Sequence, residues 1–260
     1  MTKTHGTPIW YELTTSRGNL SAAKDFYERA LGWQVGNSVM EEFDYRLAET
    51  GGDKVAGLME MPETLSDMPP MWMIYFGVDD ADTFVADATK AGARLHKPLE
   101  DIPGTGRFAI LADPQGAGFG VLKPIPMEGQ QGGAFDQKKV GHGNWNELMT
   151  TDPAGALAFY TNLFGWQKSE AMDMGEMGTY QIFSHDGADI GAIMGLGNAP
   201  MPTWLPYFGV DGTTNAIQRI KEAGGTVHHG PIEVPGSVFI AIATDPQGAW
   251  FAVVGPEKAS

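Results

Sequence analysis

Apolar residues recur along this chain with two periods that take turns. Ile9–Thr14 is short and apolar-rich and predicts a strand. Leu20, Ala23, Phe26, Tyr27, Ala30 and Leu31 then fall at three- and four-residue steps, with Asn19 as a polar cap and Gly32 as a stop, which predicts a helix. Two or three strands are expected between Trp33 and Met61, broken by a turn at Gly51-Gly52. Met61–Pro70 reads as a proline-punctuated loop and Trp72–Val78 as a buried strand. Asp79 and Asp80 cap a second helix whose stripe is Phe84, Val85, Ala88 and Ala91, ended by Gly92. A loop is expected around Pro98 and Pro103-Gly104, then strands at Phe108–Ala112 and Phe119–Leu122 joined by an Asp-Pro-Gln-Gly turn.

The same order then repeats. Trp145–Thr150 is a strand, and Asp152-Pro153 starts a helix with a capping carboxylate and a proline in the first turn. Leu157, Tyr160, Leu163 and Phe164 form its stripe, and Gly165 stops it. Strands follow through Met194 and at Trp204–Val210, a helix carries Ile217 and Ile220, and strands at Phe239–Ala243 and Trp250–Val254 close the half. The repeat is also literal. Asp113–Ala117 and Asp245–Ala249 are both DPQGA, offset by 132 residues, as are the two YFGV segments at Tyr75 and Tyr207. Phe26-Tyr27 matches Phe159-Tyr160 at an offset of 133, and Trp10-x-Glu12-Leu13 matches Trp145-x-Glu147-Leu148 at 135. The expected organisation is a module over residues 6–123, a solvated linker over 124–141 and a second module over 142–256, each reading βαβββ twice, in the α+β class. A period this long excludes solenoid repeats, whose units run roughly 20–50 residues.

Composition removes several functions. A net charge of −15 disfavours nucleic acid and anionic membranes as partners. With no cysteine there is no disulfide, thiolate nucleophile or Cys-ligated zinc. No apolar run approaches the roughly 18 residues of a membrane helix, and Met1–Trp10 lacks the core of a signal peptide, so a cytoplasmic protein, monomer or homodimer, is expected.

The order of WxEL, FY, LGW or FGW, YFGV, AG and DPQG resembles the glyoxalase/bleomycin-resistance/extradiol-dioxygenase group, the vicinal-oxygen-chelate superfamily, and most of all its two-domain branch. The resemblance implies paired βαβββ units curling into a half-open barrel around a cavity, with both modules sharing one cavity. It also implies where ligands of a metal would stand. Trp10 and Trp145 occupy the first-strand position, Gly120 and Ala252 the last-strand position, and Met73 and Leu205 the dioxygenase histidine position. None of these binds a hard divalent cation, so no cofactor is expected; a divalent metal held by Glu12 or Glu147 together with a histidine is the disfavoured alternative.

Strand alternation from those positions points Trp10, Glu12 and Thr14 inward, together with Trp145, Glu147 and Met149. Glu12 and Glu147 are the candidate catalytic residues, lone carboxylates in aromatic strands. Burial there would raise their pKa and suit them to acid–base work, whereas an edge position would let them reach water or pair with Arg46 or Arg107. Trp10, Tyr75, Trp145, Tyr207 and Trp250 are the candidate ligand-binding surface for a flat molecule. Trp33 and Trp166 read as core, His228-His229 and His185 as exposed, and Asp113 and Asp245 as turn residues without chemistry. The expected function is binding of a small planar or hydrophobic molecule. The alternative is a glyoxalase (lyase) or hydroxylase-type enzyme using Glu12 or Glu147, with a metal-dependent dioxygenase last.

Overall fold

In the computed structural model, residues 4–125 and 133–259 are described. The first module runs β1 (Pro8–Thr15), α1 (Leu20–Leu31), β2 (Gln34–Ser38), β3 (Tyr45–Thr50), β4 (Asp53–Glu60), β5 (Met71–Gly77), α2 (Ala81–Lys90), β6 (Arg94–Ile102), β7 (Gly106–Ala112) and β8 (Gly118–Pro124). The second runs β9 (Gly143–Thr150), α3 (Pro153–Phe164), β10 (Gln167–Asp173), β11 (Thr179–His185), β12 (Ala188–Gly195), β13 (Thr203–Gly209), α4 (Thr213–Glu222), β14 (Thr226–Val234), β15 (Val238–Thr244) and β16 (Trp250–Gly255). Each is βαβββ twice over, an α+β fold. One eight-stranded sheet is ordered β2-β3-β4-β1-β5-β8-β7-β6 and the other β10-β11-β12-β9-β13-β16-β15-β14, the same order shifted by eight. The first strand of each βαβββ half lies parallel to its last, as β1 does to β4 and β5 to β8.

Packing divides the chain differently from the sequence repeat. One compact unit gathers the N-terminal residues through Ile9, the stretch from Ile74 to the end of the first module, and Asn146–Leu205. The other gathers Trp10–Met73, the segment ending at Trp145, and Pro206 onward. Each unit therefore joins the first βαβββ half of one module to the second half of the other.

Within the unit holding Trp10–Met73, α1 packs on α4. The Arg219 guanidinium there donates to the Ala30 carbonyl at 3.2 Å. Phe26, Tyr27, Trp33, Trp72, Phe208 and Phe251 form one buried aromatic cluster. At its centre the Tyr27 hydroxyl donates to Asp245 Oδ2 (3.1 Å) and accepts from Trp72 Nε1 (3.0 Å). The other unit repeats this arrangement. Tyr160 donates to Asp113 Oδ2 (3.2 Å) and accepts from Trp204 Nε1 (3.1 Å), among Phe76, Phe119, Phe164 and Trp166. Both tyrosines are fully buried, and desolvation, then the adjacent carboxylate, holds each phenol well above its ordinary pKa and protonated.

Asp113 and Asp245 are thus more than turn residues. Asp113 Oδ1 accepts the backbone N–H groups of Gln115, Gly116 and Ala117. Asp245 Oδ1 accepts those of Gln247 and Ala249. Trp33 and Trp166 are core, as expected, and each also donates its indole N–H to a backbone carbonyl at 2.7 Å, of Gly141 and Gly6 respectively.

Several local expectations need correction. The loop expected at Pro98 is the strand β6. It is an edge strand, and Pro98 sits in a register shift between Lys97 and Glu100, where a missing N–H costs no ladder bond. Asn19 precedes α1, but its amide binds Ser16 Oγ and the Arg17 carbonyl instead of capping the helix. In α3 the buried stripe is Ala156, Phe159, Tyr160 and Phe164, and in α2 Ala91 is exposed while Ala81 is buried. His185 is largely buried at the end of β11, its side chain 11% exposed. His228 and His229 are exposed, as expected, and lie on β14. Part of the expected linker lies outside the described residues. From Gly133 on it is hydrogen-bonded, with Ala134 buried, Gly143 N–H donating to its carbonyl (2.8 Å) and Gly141 N–H to that of Gly209 (2.7 Å).

Two predictions follow from the tyrosine–aspartate pairs. Tyr27→Phe leaves the Asp245 carboxylate and the Trp72 indole N–H buried with a partner removed. It should lower unfolding free energy by about 1–3 kcal/mol in urea titrations, and Tyr160→Phe should cost about the same. The second concerns pH. Burial raises the pKa of Asp113 and Asp245 above the ordinary carboxylate value, against the backbone N–H groups that lower it. A raised folded pKa means that protonation favours the folded state. The contribution is present below the unfolded value near 3.9 and is lost as pH rises through the folded one. Lowering pH from 7 toward 4 should therefore add stability through these two groups. The Asp113→Asn/Asp245→Asn double variant should show a smaller gain over the same range, and an unchanged gain would refute the assignment.

Candidate functional site

In β1, Tyr11, Leu13 and Thr15 are buried on one face, while Trp10, Glu12 and Thr14 are half-buried on the other. In β9, Asn146, Leu148 and Thr150 share the first kind of face, and Trp145, Glu147 and Met149 alternate with them. The two carboxylates therefore stand on the sheet face opposite the buried helix-side core.

Register shows what surrounds them. Glu12 is level with Gly57 of β4, and Gly57 with Leu47 of β3. One row further, Thr14, Met59 and Tyr45 lie side by side. From there the Tyr45 phenol leans back over Gly57 and donates to Glu12 Oε2 at 2.9 Å, while the Trp10 indole N–H donates to the phenol oxygen at 2.9 Å. Gly57 permits this approach, because a Cβ there would overlap the Tyr45 ring and hydroxyl. Trp10, Tyr45 and Glu12 form a hydrogen-bonded relay. Burial, then the Glu12 charge, holds the Tyr45 phenol well above its ordinary pKa, so it remains a donor.

The second module builds the same pair. Tyr180 of β11 donates to Glu147 Oε2 at 2.9 Å, and Glu147 is buried, 6% exposed. Tyr180 follows Tyr45 by 135 residues, the offset that separates Glu147 from Glu12 and Trp145 from Trp10. Both carboxylates stand on interior strands, β1 between β4 and β5 and β9 between β12 and β13. Arg46 binds Asp44 on the opposite face, and Arg107 binds Asp82 and Asp101. Sequence reasoning missed Tyr45 and Tyr180, although the repeat offset would have found them.

The remaining candidates are distributed along the strands. Tyr75 is buried, level with Gly120 on β8, and its ring lies over that glycine. Tyr207 is buried and level with Ala252 on β16. Trp250 is 48% exposed and stacks on His228, ring centroids 4.3 Å apart. A groove of about 440 Å³ runs along β2–β4, lined by Gln34, Val39, Leu47, Glu49 and Lys54 among others. Its lining holds none of Trp10, Glu12 or Tyr45, and touches their surroundings through Leu47 and Val39. The carboxylate–phenol pair, repeated in kind, is the stronger chemical signal.

Among the described residues, no three histidine, aspartate or glutamate side chains converge as a metal site would need. No helix among the described residues is long and apolar enough to cross a membrane.

A model of the Glyoxalase/Bleomycin resistance protein/Dioxygenase superfamily matches residues 12–121 and again 140–253. The Mycobacterium tuberculosis protein named "Putative glyoxylase CFP32" is 33% identical over 258 residues, 96% of this chain and 95% of that one. The Anthracycline biosynthesis protein DauV of Streptomyces sp. strain C5 is 30% identical, over 96% of this chain and 93% of its own. Among solved structures, the Mn(II)-bound glyoxalase from Novosphingobium aromaticivorans superposes with a TM-score of 0.70 at 17% identity, covering 97% of this chain and 83% of that one, a likeness of fold. Matched twice by the family model and over nearly its whole length by these relatives, the chain belongs to the glyoxalase/bleomycin resistance protein/dioxygenase superfamily.

Proposed function

We propose that this protein binds a small planar or hydrophobic organic molecule at its carboxylate–phenol faces, without a divalent metal at the superfamily's usual position. The observation that carries this reading is the repeated pair, Tyr45–Glu12 and Tyr180–Glu147, each at 2.9 Å on the half-open side of a sheet. A carboxylate oriented by a phenol can accept more than one hydrogen bond and so orient a donor of the ligand, which is otherwise held by contact area among aromatic and apolar side chains. In one compact unit Trp10, Trp145, Tyr207 and Trp250 supply that area, and in the other Tyr75 does. The names of the relatives, a glyoxylase and an anthracycline biosynthesis protein, also concern small organic molecules.

The second reading is a glyoxalase-type enzyme, favoured by the 33% identity to CFP32. Here Glu12 or Glu147 takes a proton from carbon next to a carbonyl and returns it to the neighbouring position. Turnover of methylglyoxal, with and without added thiol, separates the two readings. Under the enzymatic one, Glu12→Gln or Glu147→Gln removes activity while ligand still binds.

Binding should quench tryptophan fluorescence when the protein is titrated with a panel of planar hydroxyls, quinones and carboxylates. Trp145→Ala/Tyr207→Ala should weaken the best binder at least tenfold while leaving the circular dichroism spectrum unchanged. Unaltered affinity in that variant would remove both residues from the site. For the metal, elemental analysis of protein purified without chelator should find no stoichiometric divalent ion. Near-stoichiometric zinc, nickel, manganese or iron, lost on Glu12→Gln or Glu147→Gln, would overturn that part of the proposal.

A further inference from the structure

Of the seven tryptophans, Trp250 alone is exposed, at 48%. It stands on β16 between Ala249 and Phe251, both fully buried, and Phe251 packs on Phe26 and Tyr27 in the core. Alternation therefore turns Trp250 to the other side of the sheet, with Ala252 two residues on. Trp250 is level with Thr244 of β15, and Thr244 with Thr226 of β14. Strands β14 and β16 flank β15 and so lie roughly 10 Å apart. The His228 and Trp250 rings nevertheless meet over β15, their centroids 4.3 Å apart and their planes 26° from parallel. His228 is fixed in turn, its Nε2 hydrogen-bonded to Thr244 Oγ1 at 3.0 Å. The imidazole covers one face of the indole. With that face covered, an exposure of 48% leaves the other face open.

The matching half of the first module is built otherwise. An offset of 132 residues carries Trp250 to Gly118, His228 to His96, Ala252 to Gly120 and Tyr207 to Tyr75. Both ladders shift register at the same place, between Leu95 and Lys97 in β6 and between Val227 and His229 in β14. The histidine thus keeps its position in both modules, while the indole is present in one. In the first module the Tyr75 ring lies over Gly120, and a Cβ there would overlap it. Ala252 supplies that Cβ, so Tyr207 cannot take the same pose. Phe108 lies 6.4 Å from Tyr75, centroid to centroid, and Lys97 Nζ is 5.4 Å from the Phe108 ring. The first module thus sets its rings against each other and against its own lysine. The second presents an indole with a free face.

A flat ring laid on an indole gains contact over its whole area, and offset stacking adds to that contact. A saturated ring of the same size is puckered and brings fewer atoms to van der Waals distance. We infer that Trp250 and His228 form a stacking platform for a fused-ring aromatic molecule, present once per chain, with His228 as its positioning residue. The ligand stacks on the indole face turned away from His228, so the histidine acts through Trp250. An exposed indole held by nothing would lose rotamer freedom on binding, and the imidazole removes that cost beforehand. The inference rests on the proposed function and narrows its ligand from planar or hydrophobic to planar aromatic.

The test uses the full chain with ¹⁵N-labelled tryptophan, titrated with 2-naphthol and, separately, with its saturated counterpart trans-decahydro-2-naphthol. The Trp250 indole signal is identified by its loss in Trp250→Leu. 2-Naphthol should move the Trp250 indole proton upfield and bind about fivefold more tightly than the saturated alcohol. Trp250→Leu should weaken 2-naphthol about tenfold with an unchanged circular dichroism spectrum. His228→Ala should weaken it about threefold, and His228→Phe, which keeps a ring against the indole, should restore it. Equal affinity for the saturated alcohol would overturn the inference. So would unaltered affinity in His228→Ala, or a loss there that His228→Phe does not recover. Binding of 2-naphthol that is the same in Trp250→Leu and leaves the Trp250 signal in place would remove the platform and leave the proposed function standing. Failure of every panel member to bind would remove both.

Discussion

The buried tyrosine–aspartate pairs hold this structure's organisation. A carboxylate with almost no solvent exposure is unfavourable unless its oxygens are occupied. Asp245 is occupied by two backbone N–H groups and the Tyr27 hydroxyl, and Asp113 by three and that of Tyr160. The turn that carries each aspartate belongs to one module, and the helix that carries its tyrosine belongs to the other. The compact units consequently cut across the sequence repeat. Neither half of a module can satisfy its own buried carboxylate, phenol and indole without the complementary half, so two copies in one chain fold as two mixed units. The indole–carbonyl bonds of Trp33 and Trp166 follow the same exchange, each reaching the segment just before the other module's first strand.

Much of this was legible because the chain states it twice. Helices α1 to α4 were readable from three- and four-residue apolar steps, and β5 and β13 from dense aromatic runs. The edge strand β6 was not, since prolines and charges are what an edge tolerates and what a loop shows. Its ladder to β7 shifts register twice, so no clean alternation survives to be read. Local composition carries no information about which turn meets which helix, and for that reason DPQGA read as turn chemistry alone. Only the pairing of halves makes Asp113 and Asp245 internal. His185 was misjudged similarly. It adjoins an Asp-Gly turn, yet its ring lies against Gly6, far away in sequence.

The site was half legible. Period-two alternation placed Glu12 and Glu147 with Trp10 and Trp145 on one face, and the register agrees. The phenols were hidden because Tyr45 and Tyr180 sit on strands of mixed composition, where neither periodicity nor propensity marks them. Their significance lies in the third dimension, where a phenol leans across an intervening strand to reach the carboxylate. That reach has a sequence trace in Gly57, a glycine inside a strand, which weakens a strand unless something approaches closely.

The repeat also shows which positions are constrained and which have drifted together. Ala48 faces Ala56 in the first module, and the equivalent pair in the second is Phe183 and Gly191. A Cβ on Gly191 would overlap the Phe183 ring, so the larger residue is accommodated by the smaller neighbour, as close packing requires. On the opposite face Gly57 has become Ala192, and Thr14 and Val39 have given way to Met149 and Met172, while Tyr and Glu stay. The helix-side core thus changed by repacking, a glycine making room for the added ring. The open side changed in chemistry, toward thioethers, around a hydrogen-bonded pair that did not change. A buried carboxylate is unfavourable unless its oxygens are occupied, so Glu147 and Tyr180 constrain each other as the aspartates and tyrosines of the core do. The proposed ligand site gives the pair a second reason to stay while its neighbours vary.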